Sequence, residues 1–401
     1  YASVATDGDD WPDPQRYAAL YSNGQGRNLG SLGGLISEAN DVSDSGFVAG
    51  WSTLADGIGE RPFLFSPLED SMRDLGTLGG AVARANALNN AGAVVGLSDI
   101  GGAGGFDYHA FLYRAGGMAD LNDLVGGLGD WRLTTATDIN DAGQILAEAC
   151  RDGLGECRAV RLDLVTPVPE PGVWALMAVG LVALLWHARR RARPGVQARM
   201  QPDAAAPAAA CEHVRKDMRK GAGKRAPLAA TALGALLVAG PAASAAQAAA
   251  AVAVAPPAPQ QAPPGAGRFR LTFLPPALVA SAINSRGDVV GYNGSAAVWD
   301  GSTLRDYAAL APGSAGYGIN ARGDVAGGYL GAAYVFSPAG VRNVGRQILQ
   351  GSSYAIALND SGVVTGGSYF GVGERSRGFV LTAGVLRMIP SLGGDWSSAA
   401  A

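Results

Sequence analysis

A twelve-residue string recurs six times in this chain. Such a repeat limits the fold more than any other feature, because each unit must stack on its neighbours to bury its apolar face. The copies read ANDVSDSGFVAG at 39–50, ANALNNAGAVVG at 85–96, ATDINDAGQILA at 136–147, ASAINSRGDVVG at 280–291, GYGINARGDVAG at 316–327 and AIALNDSGVVTG at 355–366. The shared frame is small-x-x-aliphatic-Asn/Ser-x-x-Gly-x-aliphatic-x-Gly/Ala. Its physics is a β-hairpin. Aliphatic positions flank a polar turn, an Asn can hydrogen-bond backbone two residues on, and a Gly can take φ > 0. The turn pairs are Asn89 with Gly92, Asn140 with Gly143, Asn284 with Gly287, Asn320 with Gly323 and Asn359 with Gly362. A short loop with Gly at the left-handed position is a standard hairpin connection.

A second string follows, as in RPFLFSPLEDSMRDLGTLGG at 61–80, HAFLYRAGGMADL at 109–121 and AAYVFSPAGVRNVG at 332–345. Each is a short apolar strand, a Gly- or Pro-bearing turn and another strand. Four short strands per 36–51 residues predict an all-β chain of propeller-like antiparallel repeats. A two-layer sandwich built from hairpins is the alternative. The repeats fall in two partial sets, at 1–164 and 268–401, which the sequence separates by two apolar helices. The first set lacks its start, and the second stops at SLGGDWSSAAA.

The intervening material is different. Residues 165–199 hold Val168, Pro169, Glu170 and Pro171, then an apolar run ending in Arg189, Arg190 and Arg191. That run is read as a transmembrane helix, although it is short for a span of about 20 residues. A basic polar linker covers 200–217. Residues 218–248 have a basic start, an apolar stretch and a small-x-small end at Ala243 and Ala245, the three parts of a secretory signal peptide. Residues 249–267 are an Ala/Pro/Gln linker.

Charge follows the same division. Residues 1–165 carry net −13, 166–230 carry +7 and 265–401 carry +3. An acidic first third argues against nucleic acid as a partner, since phosphate binding needs clustered positive charge.

LGTLGG at 75–80, the Asn-Asn-Ala-Gly hairpin and the His109-Ala110-Phe111 triplet resemble the bacterial extracellular HAF repeat family. The resemblance covers about 16–164 and 280–394. It implies an exported β protein and no particular reaction. The Val168–Pro171 tetrad, apolar helix and Arg cluster resemble a PEP-CTERM sorting tail. That resemblance implies transit through the inner membrane of a Gram-negative cell and cutting by an exosortase near the tetrad. Exosortase, the secretion machinery and the inner membrane are thus the expected partners, with exopolysaccharide a further candidate. A sorting tail should end a chain and a signal peptide should begin one, so the order here reads as two adjacent exported proteins joined. As one polypeptide, the chain would be a membrane hairpin. In both cases the basic loop 187–225 is expected in the cytoplasm, because basic flanks stay there.

No catalytic, metal or cofactor site is expected. The chain lacks a His-Glu-x-x-His, a phosphate-binding loop and a Gly-x-Ser-x-Gly. Cys211 and His213 lack the further ligands zinc needs. The turn acids Asp41, Asp44, Asp141 and Asp360 do not fit an EF-hand loop. The Arg-Gly-Asp triplets at 286–288 and 322–324 are frame turns. Cys150 and Cys157 flank a loop between two apolar strands, where an exported domain permits a disulfide. The chain reads as a non-enzymatic binding or structural surface protein. The alternative is a propeller-type glycan-active enzyme, which would bring Asp107, His109, Asp123 and Asp130 together in a cleft.

Overall fold

The structure, a computed structural model, describes residues 16–22, 24–102, 107–151, 155–165, 181, 184, 186, 269–348, 351–369, 376–390, 397 and 399. Residues 1–167 and 255–401 form one compact unit, and 168–254 another.

In the first unit, β1 (Ala18–Ser22) and β2 (Gln25–Gly30) make a two-stranded sheet. Six four-stranded sheets follow. The first holds β3 (Gly33–Val42), β4 (Val48–Leu54), β5 (Glu60–Ser66) and β6 (Ser71–Asp74). The second holds β7 (Ala83–Leu88), β8 (Val94–Asp99), β9 (Tyr108–Arg114) and β10 (Gly117–Asp120). The third holds β11 (Trp131–Ile139), β12 (Ile145–Arg151), β13 (Cys157–Leu164) and β14 (Phe269–Phe273). The fourth holds β15 (Val279–Ile283), β16 (Val289–Tyr292), β17 (Ala296–Trp299) and β18 (Leu304–Asp306). The fifth holds β19 (Ala315–Ile319), β20 (Val325–Tyr329), β21 (Ala332–Ser337) and β22 (Gly340–Asn343). The sixth holds β23 (Ser352–Leu358), β24 (Val364–Tyr369), β25 (Ser376–Thr382) and β26 (Val385–Met388). In every sheet the strands pair antiparallel in chain order. These are the blades of a β-propeller.

The repeated frame forms the first hairpin of each blade. In blade 2, Asn89 N–H donates to Ala93 O at 3.0 Å and Gly92 N–H to Asn89 O at 2.9 Å. Gly92 has φ +76°, a value that disfavours any residue with a Cβ. Every first strand also carries a register shift at one frame position, between Ala39/Asp41, Ala85/Ala87, Ala136/Asp138, Ala280/Ala282, Gly316/Gly318 and Ala355/Ala357. The bulge pushes a carbonyl toward the second strand. A Cβ on Gly50, Gly96, Gly291, Gly327 or Gly366 would lie 1.9–2.1 Å from that oxygen. This explains the glycine that ends the frame. The third strands supply the largest core side chains, with Phe63, Phe65, Phe111, Phe336 and Phe379 fully buried.

Two expectations change. The repeat sets are not separate, because β13 pairs with β14 across the whole intervening segment, from Val160↔Phe273 to Leu164↔Phe269. The first set ends one strand short of a blade, and the second begins with the missing strand. The two apolar helices lie almost wholly outside the described residues. Leu181, Leu184 and Trp186 have helical backbone and exposed side chains. Among the described residues no helix is long and apolar enough to cross a membrane. The described α-helix is α1 (Leu121–Leu124), a single turn capped by Asp120.

The two-stranded sheet lies between blades 6 and 1. Ala18 and Leu29 pack with Val48, Phe63 and Phe65, while Ala19 packs with Ile389 and Ala399. A cleft of about 610 Å³ opens beside it, lined by Tyr21, Ser22, Val380, Val385 and Arg387 among others.

Cys150 and Cys157 face each other on β12 and β13 and are joined in a disulfide, with Cα atoms 4.1 Å apart. A loop this short still restricts the unfolded chain, by about 2.5 kcal/mol in the chain-entropy account. Cys150→Ser should lower unfolding free energy by about that amount. Reductant should abolish the difference from the parent in a urea melt.

Candidate functional site

The six frame hairpins converge on one polar cavity of about 480 Å³. Asp41, Asp44, Asp138, Asp141 and Asp360 line it, together with the turn asparagines of blades 2 to 6.

Each frame Asn of blades 2 to 5 has two tasks. Its Oδ1 organises its own turn, as when Asn284 accepts from Arg286 N at 3.0 Å and Asp288 N at 2.9 Å. Its Nδ2 reaches the next blade. Asn89 donates to Asn140 O at 3.1 Å, Asn140 to Asn284 O at 2.7 Å, Asn284 to Asn320 O at 2.9 Å and Asn320 to Asn359 O at 3.3 Å. The following residue reaches the other way. Asp141 Oδ1 accepts from Asn90 N at 2.8 Å, Asn90 Oδ1 from Asp44 N at 2.8 Å, and Asp360 Oδ1 from Ala321 N at 2.7 Å. The turns of blades 2 and 3, and of blades 5 and 6, are therefore clamped in both directions, and those of blades 1 and 2, 3 and 4, and 4 and 5 in one. Removing the buried Asn284 side chain takes the Oδ1 acceptor from the Arg286 and Asp288 N–H groups and one of two donors from the Asn320 carbonyl, which keeps Gly323 N–H. Asn284→Ala should cost about 3 kcal/mol in a urea melt, since unpaired buried groups cost ~1–3 kcal/mol each. Ser285→Ala, next to it, should change little.

Asp41 and Asp138 occupy the bulges of blades 1 and 3. Asp41 accepts from Val42 N at 2.8 Å and from Leu88 N, in blade 2, at 2.7 Å. Asp138 accepts from Ile139 N at 2.8 Å and from Ile283 N, in blade 4, at 2.7 Å. Burial, then the charge of Asp138, pushes Asp41 up to about 7 against those N–H groups. Burial pushes Asp138 up to about 6.

The four residues singled out for an enzyme reading do not line this cavity. His109 Nδ1 meets Asp120 Oδ2 at 2.5 Å, and that bond holds the imidazole above its usual range. Burial works to raise Asp120, but bonds from His109 and Asn122 hold it below. Asn122 in turn brackets Leu133, accepting from its N–H at 2.8 Å and donating to its O at 3.0 Å. The His109–Asp120–Asn122 chain thus ties blade 2 to blade 3. Asp107 pairs with Arg132 at 3.2 Å, Asp130 with Arg151 at 3.2 Å, and Asp123 sits in α1. In the two Arg-Gly-Asp triplets, Arg286 pairs with Asp288 and Arg322 with Asp324.

The outward reach of the frame Asn was missed by sequence reasoning. The signal was the Asn itself, which recurs in five copies where Ser, present at Ser43, also makes a turn. The sorting residues Val168, Pro169, Glu170, Pro171, Arg189, Arg190 and Arg191, the cleavage residues Ala243 and Ala245, and Cys211 and His213 lie outside the described residues.

Fold and site together define a six-bladed β-propeller with a polar cavity among its turns. Residues 167–191 match the PEP-CTERM protein-sorting motif. The motif marks the chain for exosortase-dependent sorting to the cell exterior, with transient anchoring at the membrane. No curated protein and no solved structure matches the chain.

Proposed function

We propose that this chain is an exported cell-envelope or extracellular-matrix protein of the HAF repeat kind, whose propeller is a non-enzymatic binding or structural module. The sorting motif at 167–191 carries the reading. The cavity supplies a place for a ligand, since it offers amides, backbone groups and carboxylates at the meeting point of six blades. Five carboxylates disfavour an anionic ligand and favour a neutral, hydroxyl-rich one, such as an uncharged exopolysaccharide. Within this reading an exosortase cuts near Val168–Pro171, Arg189 to Arg191 lie in a cytoplasmic loop 187–225, and 218–248 acts as a signal-peptide-like segment cut after Ala245.

The test is fractionation of cells with and without exosortase. The propeller should be recovered outside the inner membrane only when exosortase is present. Replacing Pro169, Glu170 and Pro171 with alanine should hold it at the membrane. An unchanged distribution in both experiments would overturn the reading.

A further inference from the structure

Blade 3 takes β11 to β13 from 131–164 and β14 from 269–273, so the sorting motif is inserted between its third and fourth strands. A cut at the motif breaks the chain inside a blade. We infer that residues 16–165 and 269–399 hold each other without a covalent link, so that the cut product is a two-piece propeller. The inference rests on the sorting reading only for the claim that the cut occurs in cells.

The seam has the make-up of an interior. Phe269 is buried at 4% exposure in one cluster with Leu121, Leu124, Val125, Val160 and Leu162. Phe273 packs at a tilt against Trp131, with ring centroids 5.0 Å apart, and the Arg158 guanidinium lies 4.9 Å from the Phe273 ring. Past the shared sheet, Leu146 packs with Leu274, Leu278, Ile283 and Trp299. Polar groups cross as well. Ile283 N–H donates to Asp138, Asn140 to Asn284 O, and Arg161 Nη1 to Gly287 O at 3.0 Å. Leu274 N–H donates to Ala159 O at 3.0 Å. Separation would strip all of these at once and bare the edge of β13, an outcome that costs far more than the loss of a tether. The disulfide Cys150–Cys157 lies within the first piece and does not join the two.

The same seam makes the count of polypeptides immaterial to the ring. One chain cut at the motif and two chains made separately present the same two surfaces. A flexible linker contributes an effective concentration on the order of millimolar at most, so a seam much tighter than that needs no tether.

The experiment uses the full chain with a specific protease site placed at Asp203. After complete cutting without denaturant, size-exclusion with light scattering should show one species near the uncut mass of 40.6 kDa, holding both pieces in equal amounts. Separate pieces would overturn the inference. A species of twice that mass, with strands exchanged between two copies, would overturn it too. Phe269→Ala should leave the uncut chain folded, as read by circular dichroism, and weaken the cut pair about 100-fold or more in dilution. If that variant does not fold uncut, Asp138→Ala serves, because Ala87, Ala282 and Ala357 already stand at its frame position. A cut pair no weaker in either variant would overturn the seam as described. Failure of the sorting reading is distinguishable, because it would appear as an uncut native chain and leave these measurements unchanged.

Discussion

Gly96→Val lowers the stability of the propeller by more than about 3 kcal/mol, at the upper end of overpacking costs. A Cβ at this position would sit 2.0 Å from Arg84 O and 2.9 Å from the Phe111 ring. The oxygen belongs to the bulged strand β7, so relief requires the backbone of the frame to move. Phe111 is fully buried and cannot swing away. Even alanine carries the offending atom, so Gly96→Ala should lose most of the same stability. Urea melts of both variants measure this, and a loss below about 1 kcal/mol would show that the bulge yields easily. Blade 3 gives a natural comparison. Its frame ends in Ala147, opposite Val160, where blades 1, 2 and 6 place Phe63, Phe111 and Phe379.

The second large effect is a fall in stability as pH rises. Asp41 and Asp138 are pushed up to about 7 and about 6 in the folded chain, from an ordinary 3.8. Between pH 4 and 7 the folded protein therefore binds protons that the unfolded chain has released. The sign follows: stability drops with rising pH as each group passes through its folded value, and the drop is nearly complete by about pH 8. For Asp41 alone the cost is on the order of 4 kcal/mol. His109, raised by Asp120, acts in the same direction. Its stabilisation is full below its unfolded value of 6.5 and fades as pH rises through its higher folded value. Asp138→Ala removes one carboxylate and the smaller of the two causes that raise the other, while burial still raises Asp41 and His109 stays in place. Its melting temperature should fall less than the parent's between pH 5 and 8. Parallel pH profiles would show that the two buried carboxylates are not coupled to folding in this way.

Much of the fold was legible because the frame states its own turn chemistry. The Asn, the turn Gly and the alternating aliphatic residues each have a local reason, and local reasons survive without a structure. What the sequence did not disclose depends on neighbours. Asn140 looks satisfied by its own turn, so nothing in ATDINDAGQILA announces that its Nδ2 reaches Asn284, far along the chain. Asp41 reads as a turn acid and nothing in the sequence singles out Asp138, whereas the bulge places both on the N–H groups of the next blade. The junction in blade 3 had left a trace. CRAVRLDL at 157–164 has no following partner strand, and RFRLTF at 268–273 precedes a frame that already has its own partners. Each is one strand, and only the count of strands per blade shows that they belong together. Of the candidate site, the ring of turns could be named residue by residue, but its convergence on a cavity needed the curvature of the ring.

The half-sized sheet between blades 6 and 1 has a consequence for motion. Every clamp described above joins a blade to its nearest neighbour, so opening need not be global. β1 and β2 have one partner strand each, and the cleft beside Tyr21 and Val380 leaves their outer face thinly covered. Blade 3 is the opposite extreme, with a disulfide, a helical turn and cross-chain packing on its neighbours. Amide hydrogens should therefore exchange first along Ala18–Ser22, by fluctuations that leave the rest of the ring closed, and last in β12 and β13. The propeller breathes at one seam, and the stretch of ring farthest from solvent exchange is the one that carries the sorting insert.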